Sequence, residues 1–224
     1  MSPPSALPAS GVQIVVMAKS PVPGRSKTRL CPPLTPRDAA EVAEAALADT
    51  LGAVADTKAR RRVLALDGAV GDWLPPGFDV ITQRGDGLGE RLAAALDDVG
   101  APSVLIGMDT PQVTPALLDE TMDELMRPGV DAVLGLALDG GWWGIGLRRP
   151  RTGLFAGVPM STPLTGARQR RRMHRLGLRT VALPTLRDVD VIEDAVAVAA
   201  AVPSSRFARA LDLALQASRC GIVA

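Results

Sequence analysis

Histidine occurs once, cysteine twice and tyrosine not at all among the 224 residues, and aromatic side chains make up only 3% of the chain. The single histidine, His174, excludes a metal site built from several imidazoles, and a serine–histidine–acid triad would have to use that one residue. Cys31 and Cys220 stand far apart, with no metal-ligand or disulfide-framework spacing between them. Such sparse cysteine fits a reducing, cytoplasmic setting. No charge of one sign dominates: 25 basic residues face 24 acidic ones. A basic footprint for nucleic acid would therefore have to be local. No apolar run approaches the ~20 residues needed to cross a bilayer. Residues 1–10, rich in Pro, Ser and Ala, lack the basic start and long apolar stretch of a secretory signal and read as a flexible leader. Neither nucleic acid nor a membrane is the expected partner.

What is present is a globular composition, 47% hydrophobic and 22% charged, of a size for one α/β domain with a sizeable core. Val12–Ala18 is a continuous apolar run entering a Pro/Gly-rich loop, as a buried parallel strand would. Thr35-Pro36 and Thr114-Pro115 each signal a helix start, a capping hydroxyl followed by proline at the first helical position. Further strands are predicted at Val63–Leu66, Phe78–Thr82, Ser103–Gly107, Ala132–Ala137 and Arg179–Leu183. Helices are predicted at Leu88–Val99, Pro163–Leu176, Val189–Ala201 and Pro203–Ser218. This alternation predicts an α/β fold, a three-layer α/β/α sandwich around a mainly parallel sheet. We expect a leader at 1–10, one domain over 11–202, and a C-terminal helix over 203–224 that packs on the domain or serves a homodimer.

Ligands of open α/β sheets bind beyond the carboxyl ends of the strands. Three polar loops are expected there: Lys19–Arg29, Asp109–Gln112 and the glycine-rich Asp139–Gly146. The first carries Lys19, Arg25, Lys27 and Arg29 in eleven residues, with Gly24 for backbone freedom. Arginine grips phosphate oxygens bidentately and lysine acts as a point charge. It is neither a Walker A loop, since Ser26 precedes Lys27, nor a Gly-x-Gly-x-x-Gly fingerprint. The competing reading is a solvated basic turn.

The residues Met17-Ala18-Lys19, Pro21, Pro23-Gly24-Arg25 and Lys27-Thr28-Arg29-Leu30 resemble the signature of a bacterial family, DUF2064. Its members are radical-SAM/selenodomain-associated transferases of the GT-A-like nucleotide-diphospho-sugar transferase superfamily. Lys-Thr-Arg-Leu also resembles the loop of phospholactate guanylyltransferases and, more distantly, of molybdenum-cofactor nucleotidyltransferases. The likeness continues through Gln83, Gly85, Leu88-Gly89-Glu90-Arg91, Ile106-Gly107, Asp109, Pro111, Asp139-Gly140-Gly141, Ser161-Thr162 and Asp188-Val189-Asp190, spanning roughly residues 12 to 200.

The resemblance implies a GT-A-like fold and a divalent metal on the nucleotide phosphates, held by Asp109. Carboxylate oxygens suit Mg²⁺ or Mn²⁺. The alternative for Asp109 is a turn cap before Pro111. Family members carry a further acid near this turn, where Gln112 and Val113 stand here, so a second ligand must come from elsewhere. Asp190 is the candidate and Asp188 its competitor; either could instead cap the next helix. Lys19, Gly24, Arg25, Lys27, Arg29, Gly85 and Arg91 are expected on the nucleotide and its phosphates, with Lys27 and Asp109 closest to the chemistry. Asp139, Gly140, Gly141, Ser161 and Thr162 are expected near the acceptor, although Asp139-Gly140-Gly141 also suits a plain turn. Trp142 and Trp143 could stack on a base or sugar, or belong to the core. The basic run Arg168–Arg175 reads as a solvated face. Cys31, beside the basic loop, reads as a structural thiol, a lowered pKa being the alternative. The expected activity is transfer from a nucleotide to a small acceptor. Nucleotidyl transfer from an NTP leads, followed by glycosyl transfer from a nucleotide-sugar and then a catalytically degenerate binding protein.

Overall fold

The chain of β1 (Ser10–Lys19) buries side chains on both of its faces, as a central parallel strand must. Val12, Ile14, Val16 and Ala18 enter one core, while Val15 and Met17 enter another. After β1 come a 3₁₀ turn (Thr28–Leu30), α1 (Pro36–Ala55), β2 (Ala59–Asp67), β3 (Asp79–Thr82), α2 (Leu88–Val99), β4 (Ser103–Gly107), α3 (Pro115–Met126), β5 (Ala132–Ala137), β6 (Trp142–Leu147), α4 (Thr165–Arg175), β7 (Thr180–Leu186), α5 (Ile192–Ala201) and α6 (Arg206–Gly221). The structure is a computed structural model and describes residues 10–221. The leader expected at 1–10 thus lies, but for Ser10, outside the described residues.

The strands form one seven-stranded sheet in the order β3-β2-β1-β4-β6-β5-β7. Every neighbouring pair is parallel except the two that involve β6, which runs antiparallel to β4 and to β5. The fold is therefore α/β with a mostly parallel sheet. Leu47 and Leu51 of α1 and Leu118, Met122 and Leu125 of α3 join the core on one face. Leu92, Leu96 and Val99 of α2 and Met173 of α4 join the core on the other. Both threonine caps form: Thr35 accepts from the Asp38 N–H at 3.2 Å, and Thr114 from the Leu117 N–H at 3.1 Å. Among the described residues no helix is long and apolar enough to cross a membrane.

The sheet corrects one expectation. The glycine-rich stretch Asp139–Gly146 is not a loop throughout, because Trp142–Leu147 is strand β6. Its glycines are there for space. A Cβ on Gly146 would lie 2.7 Å from Val133 Cγ2, and one on Gly135 of β5 would lie 2.4 Å from the Trp143 ring. Trp143 is buried, and its indole N–H donates to the Pro184 carbonyl at 2.9 Å. Trp142 stacks on Phe155, with ring centroids 6.1 Å apart. Both tryptophans are thus spoken for by packing rather than by an open base site.

The strand after residue 176 also runs further than expected. It passes through Pro184, which the edge position of β7 tolerates. The helix expected from Val189 begins at Ile192, leaving Asp188–Val191 as a connection. The C-terminal helix packs on the domain: Phe207, Leu211 and Ala214 of α6 lie against Ala39, Val42 and Ala46 of α1 and against Val198 of α5. Asp49 of α1 caps it, accepting from the backbone N–H groups of Arg206 at 3.2 Å and Phe207 at 2.8 Å.

Candidate functional site

The sheet order reverses at one place. From β1 the chain builds outward to β2 and β3, then returns to place β4 on the other side of β1. At such a switch point the loops leaving adjacent strands turn away from each other and open a crevice, the usual ligand position in open α/β sheets. The loops leaving β1 and β4 carry Lys27 and Asp109.

The β1 loop is a tight turn. The Arg25 and Ser26 N–H groups both donate to the Val22 carbonyl at 3.0 Å, the Ser26 hydroxyl accepts from the Val22 N–H at 2.9 Å, and Gly24 takes φ 73°. Lys27 follows in the left-handed region, φ 48° and ψ 38°, a conformation that costs a residue with a Cβ. That backbone directs the side chain inward: Lys27 Nζ lies 2.5 Å from Asp109 Oδ1 and also donates to the Val189 carbonyl. Its side chain is only 10% exposed. Lys27 thus joins three segments far apart in sequence, the loops after β1 and β4 and the connection after β7.

A backbone bond from the Val189 N–H to the Asp109 carbonyl, 2.9 Å, fastens the last two segments together. Gln112 adds a second clasp, its amide donating to the Arg187 carbonyl at 2.6 Å. Gln112 stands where an acid was expected from the family resemblance, and here it acts as a tether. Sequence alone offered no signal for that, since the tether depends on a carbonyl seventy-five residues away.

The structure divides the two aspartates after β7. Asp190 turns outward to an exposed ion pair with Arg29. Asp188 turns inward, and its carboxyl is pushed from the ordinary 3.8 up to about 7. Burial is the main cause, followed by the nearby charges of Asp109 and Asp139; Lys27 opposes the shift, and Asp190 adds a little to it. Asp109, Asp139 and Lys27 therefore all lie near enough to Asp188 to act on its charge. Among the described residues, no three acidic, histidine or cysteine side chains are gathered closely enough to hold a metal ion by themselves.

The remaining expected residues fall into two groups. Lys19 and Arg25 are exposed on the loop side, with no side-chain partner among the described residues. Arg91 is half-buried and pairs with Asp67 at 3.2 Å, while its Nε is buried without a partner. Asp67 itself lies in register beside Lys19. Gly85, at φ 122°, lets its loop lie on the start of α2, where a Cβ would come within 2.6 Å of Glu90 Cβ.

On the β5–β6 side, Asp139 Oδ1 accepts from the Gly141 N–H at 2.8 Å, so Asp139-Gly140-Gly141 forms the turn between these strands. Gly140, at φ 88°, is pressed against Pro163, whose carbonyl oxygen a Cβ would approach to 2.1 Å. Ser161 is exposed with φ 56°. Thr162 is engaged in the turn before α4, its hydroxyl accepting from the Leu164 N–H and lying 3.3 Å from that of Thr165. Cys31 is a free thiol whose pKa is raised, first by burial and then by Asp38, the direction of a structural rather than a reactive cysteine.

Solved structures share this fold. A presumed nucleotide-diphospho-sugar transferase from Desulfovibrio desulfuricans G20 is 26% identical, with a TM-score of 0.83, over 93% of this chain and 96% of that one. A CMP:2-keto-3-deoxy-manno-octonic acid synthetase complexed with CTP matches at 13% identity and TM-score 0.55, over 87% of this chain and 99% of that one. The protein Rv0371c of Mycobacterium tuberculosis H37Rv, in complex with manganese, matches at 23% identity and TM-score 0.52, over 84% and 97%. No curated protein matches the sequence significantly. Residues 39–162 match the model of a family described as an uncharacterized protein conserved in bacteria, DUF2064. The β1 loop and Asp188 lie outside that span, while Asp109 and Asp139 lie within it, and the chain belongs to this family.

Proposed function

We propose that this protein is a divalent-metal-dependent transferase acting on a nucleotide, and that it couples an NTP to a small phosphorylated or hydroxylated acceptor with release of pyrophosphate. The observation that carries this reading is the meeting of a cationic loop and an acid at the switch point, where Lys27 pairs with Asp109 beside the half-buried Asp188. The α/β sheet with helices on both faces we take as the three-layer GT-A-like arrangement, and the CTP complex of the related fold supports a nucleotide as substrate.

The donor set fits a hard cation. Asp188 is a half-buried carboxyl crowded by Asp109 and Asp139, an arrangement that a divalent ion relieves. Two carboxylates with the nucleotide's own phosphate oxygens are the usual complement for Mg²⁺, so the lack of a closed three-residue cage is no obstacle. We assign Asp109 and Asp188 to the metal and leave Asp190 to position Arg29, a revision of the Asp190 expectation. The manganese complex of the related fold supports a metal of this class. When bound, the ion neutralises phosphate charge.

Arg25, Lys19 and Arg29 would grip the outer phosphates, and Lys27 would add a further cation beside them. The acceptor oxygen attacks the α-phosphorus in line. The bond from the α-phosphorus to its bridging oxygen breaks, pyrophosphate leaves, and a hydroxyl acceptor gives its proton to solvent. Positioning and charge neutralisation serve this reaction better than a strong base, which suits a site without histidine.

Thermal unfolding with each of four NTPs, with and without Mg²⁺ or Mn²⁺, tests the proposal, followed by pyrophosphate release with candidate acceptors. Metal-dependent stabilisation by an NTP is expected. The 26%-identical neighbour favours glycosyl transfer as the second reading. Stabilisation by a nucleotide-sugar but by no NTP would choose that reading, and metal-independent binding of either would set both aside in favour of a binding protein.

A further inference from the structure

A groove of about 580 Å³ runs between α2 and the segment 150–160, on the sheet face that carries α2 and α4. Its volume is that of an ordinary small-ligand pocket. Its upper mouth lies between Gly87–Glu90, which begin α2, and Met160, next to Ser161. Because α2 follows the parallel strand β3, this mouth opens at the same sheet edge as Lys27 and Asp109. Its lower end reaches Ser103 and Leu147, the first residue of β4 and the last of the antiparallel β6. The groove therefore runs the length of β4, roughly 16 Å at ~3.3 Å per residue.

Leu88, Ala93, Leu96, Phe155 and Met160 give it apolar walls. Leu88 stands 39% exposed at the mouth, although it opens an amphipathic helix whose Leu92, Leu96 and Val99 are buried. Two of the charged groups on the rim are engaged: Glu90 accepts from the Asp86 N–H at 2.9 Å, and Arg151 donates to the Leu176 carbonyl. At the far end Ser103 is 0% exposed, yet its hydroxyl has no partner.

We infer that this groove receives the apolar body of the acceptor, so that the acceptor is an amphiphile: a phosphate or hydroxyl head at the sheet edge and an uncharged hydrocarbon portion under α2. The inference rests on the transferase reading for the head group, but the groove itself rests on its own walls.

The test uses n-alkyl phosphates from ethyl to decyl, below their aggregation concentrations, titrated calorimetrically onto the full chain with Mg²⁺, against inorganic phosphate. Each methylene that enters the groove should raise affinity about fourfold, until the groove is full. Ala93→Phe, which fills the groove from α2, should flatten that dependence and leave stabilisation by metal and nucleotide unchanged. Should that variant fail to fold, Ala93→Leu should shorten the chain length at which the gain stops. Equal affinity across the series in the native protein, or an unaltered slope in both variants, would overturn the inference. A persistent slope in a protein that binds no nucleotide would leave a hydrocarbon groove and overturn its assignment to an acceptor.

Discussion

Asp188→Asn should stabilise the metal-free protein by an amount that grows from about pH 4 to about pH 7 and then levels off. In the folded state the Asp188 carboxyl holds its proton to about pH 7, whereas an unfolded chain releases it near the ordinary 3.8. Between those values the native state binds the extra proton, so stability falls as pH rises, by about 1.4 kcal/mol per unit. Three units set a ceiling of about 4 kcal/mol, and relaxation with water entry around the ionised carboxylate brings the expectation to about 2–4 kcal/mol. The asparagine variant cannot ionise and escapes this loss. Urea unfolding of both proteins in a chelator from pH 4 to pH 8 should give curves that nearly coincide at the acid end and separate steadily toward pH 7. With Mn²⁺ and nucleotide the order should reverse, because only the native carboxylate gains from the cation. A difference between the two proteins that stays constant with pH would refute the reasoning, since burial and repulsion by Asp109 and Asp139 could not then be what loads this residue.

Lys27→Ala should cost about 2 kcal/mol at neutral pH, because it leaves Asp109 and Asp188 without their shared cation; it should also abolish metal-dependent stabilisation by nucleotide, read as a thermal shift. Asp49→Ala removes the cap of α6 and should lower stability by about 1 kcal/mol in urea while leaving nucleotide binding untouched. Gly140→Ala meets both a left-handed backbone and the Pro163 carbonyl, and should cost at least about 2 kcal/mol by the same measurement.

The sheet was legible wherever apolar runs were continuous. β1, β4 and β5 are buried on both faces, so their hydrophobic stretches stand out unaided. β6 was hidden because it is broken by glycines, of which Gly146 makes room for side chains of the flanking strands, and such complementarity cannot be seen in a string read one window at a time. β2 began four residues early for a related reason. Its Arg60–Arg62 looks like a polar connection, yet the Arg62 guanidinium folds back on the carbonyls of Val54 and Thr57.

The candidate site was legible by residue type but not by direction. That Lys27 and Asp109 stand at one sheet edge could be read from a basic loop after one strand and an acid after another. Which of Asp188 and Asp190 turns inward could not, because they stand two residues apart in one extended connection, with the intervening Val189 anchored. The Val189 N–H and carbonyl are both consumed, by Asp109 and by Lys27, and its side chain is buried. Once that residue is fixed, its neighbours differ only in what each meets: Asp190 finds Arg29 in solvent, and Asp188 finds two carboxylates in a crevice. The pairing of Arg29 with Asp190 thus has a consequence for the other aspartate. By engaging the outer acid, it leaves Asp188 as the only carboxyl of this connection free for a cation, and Arg29→Ala should loosen that choice without removing the metal site.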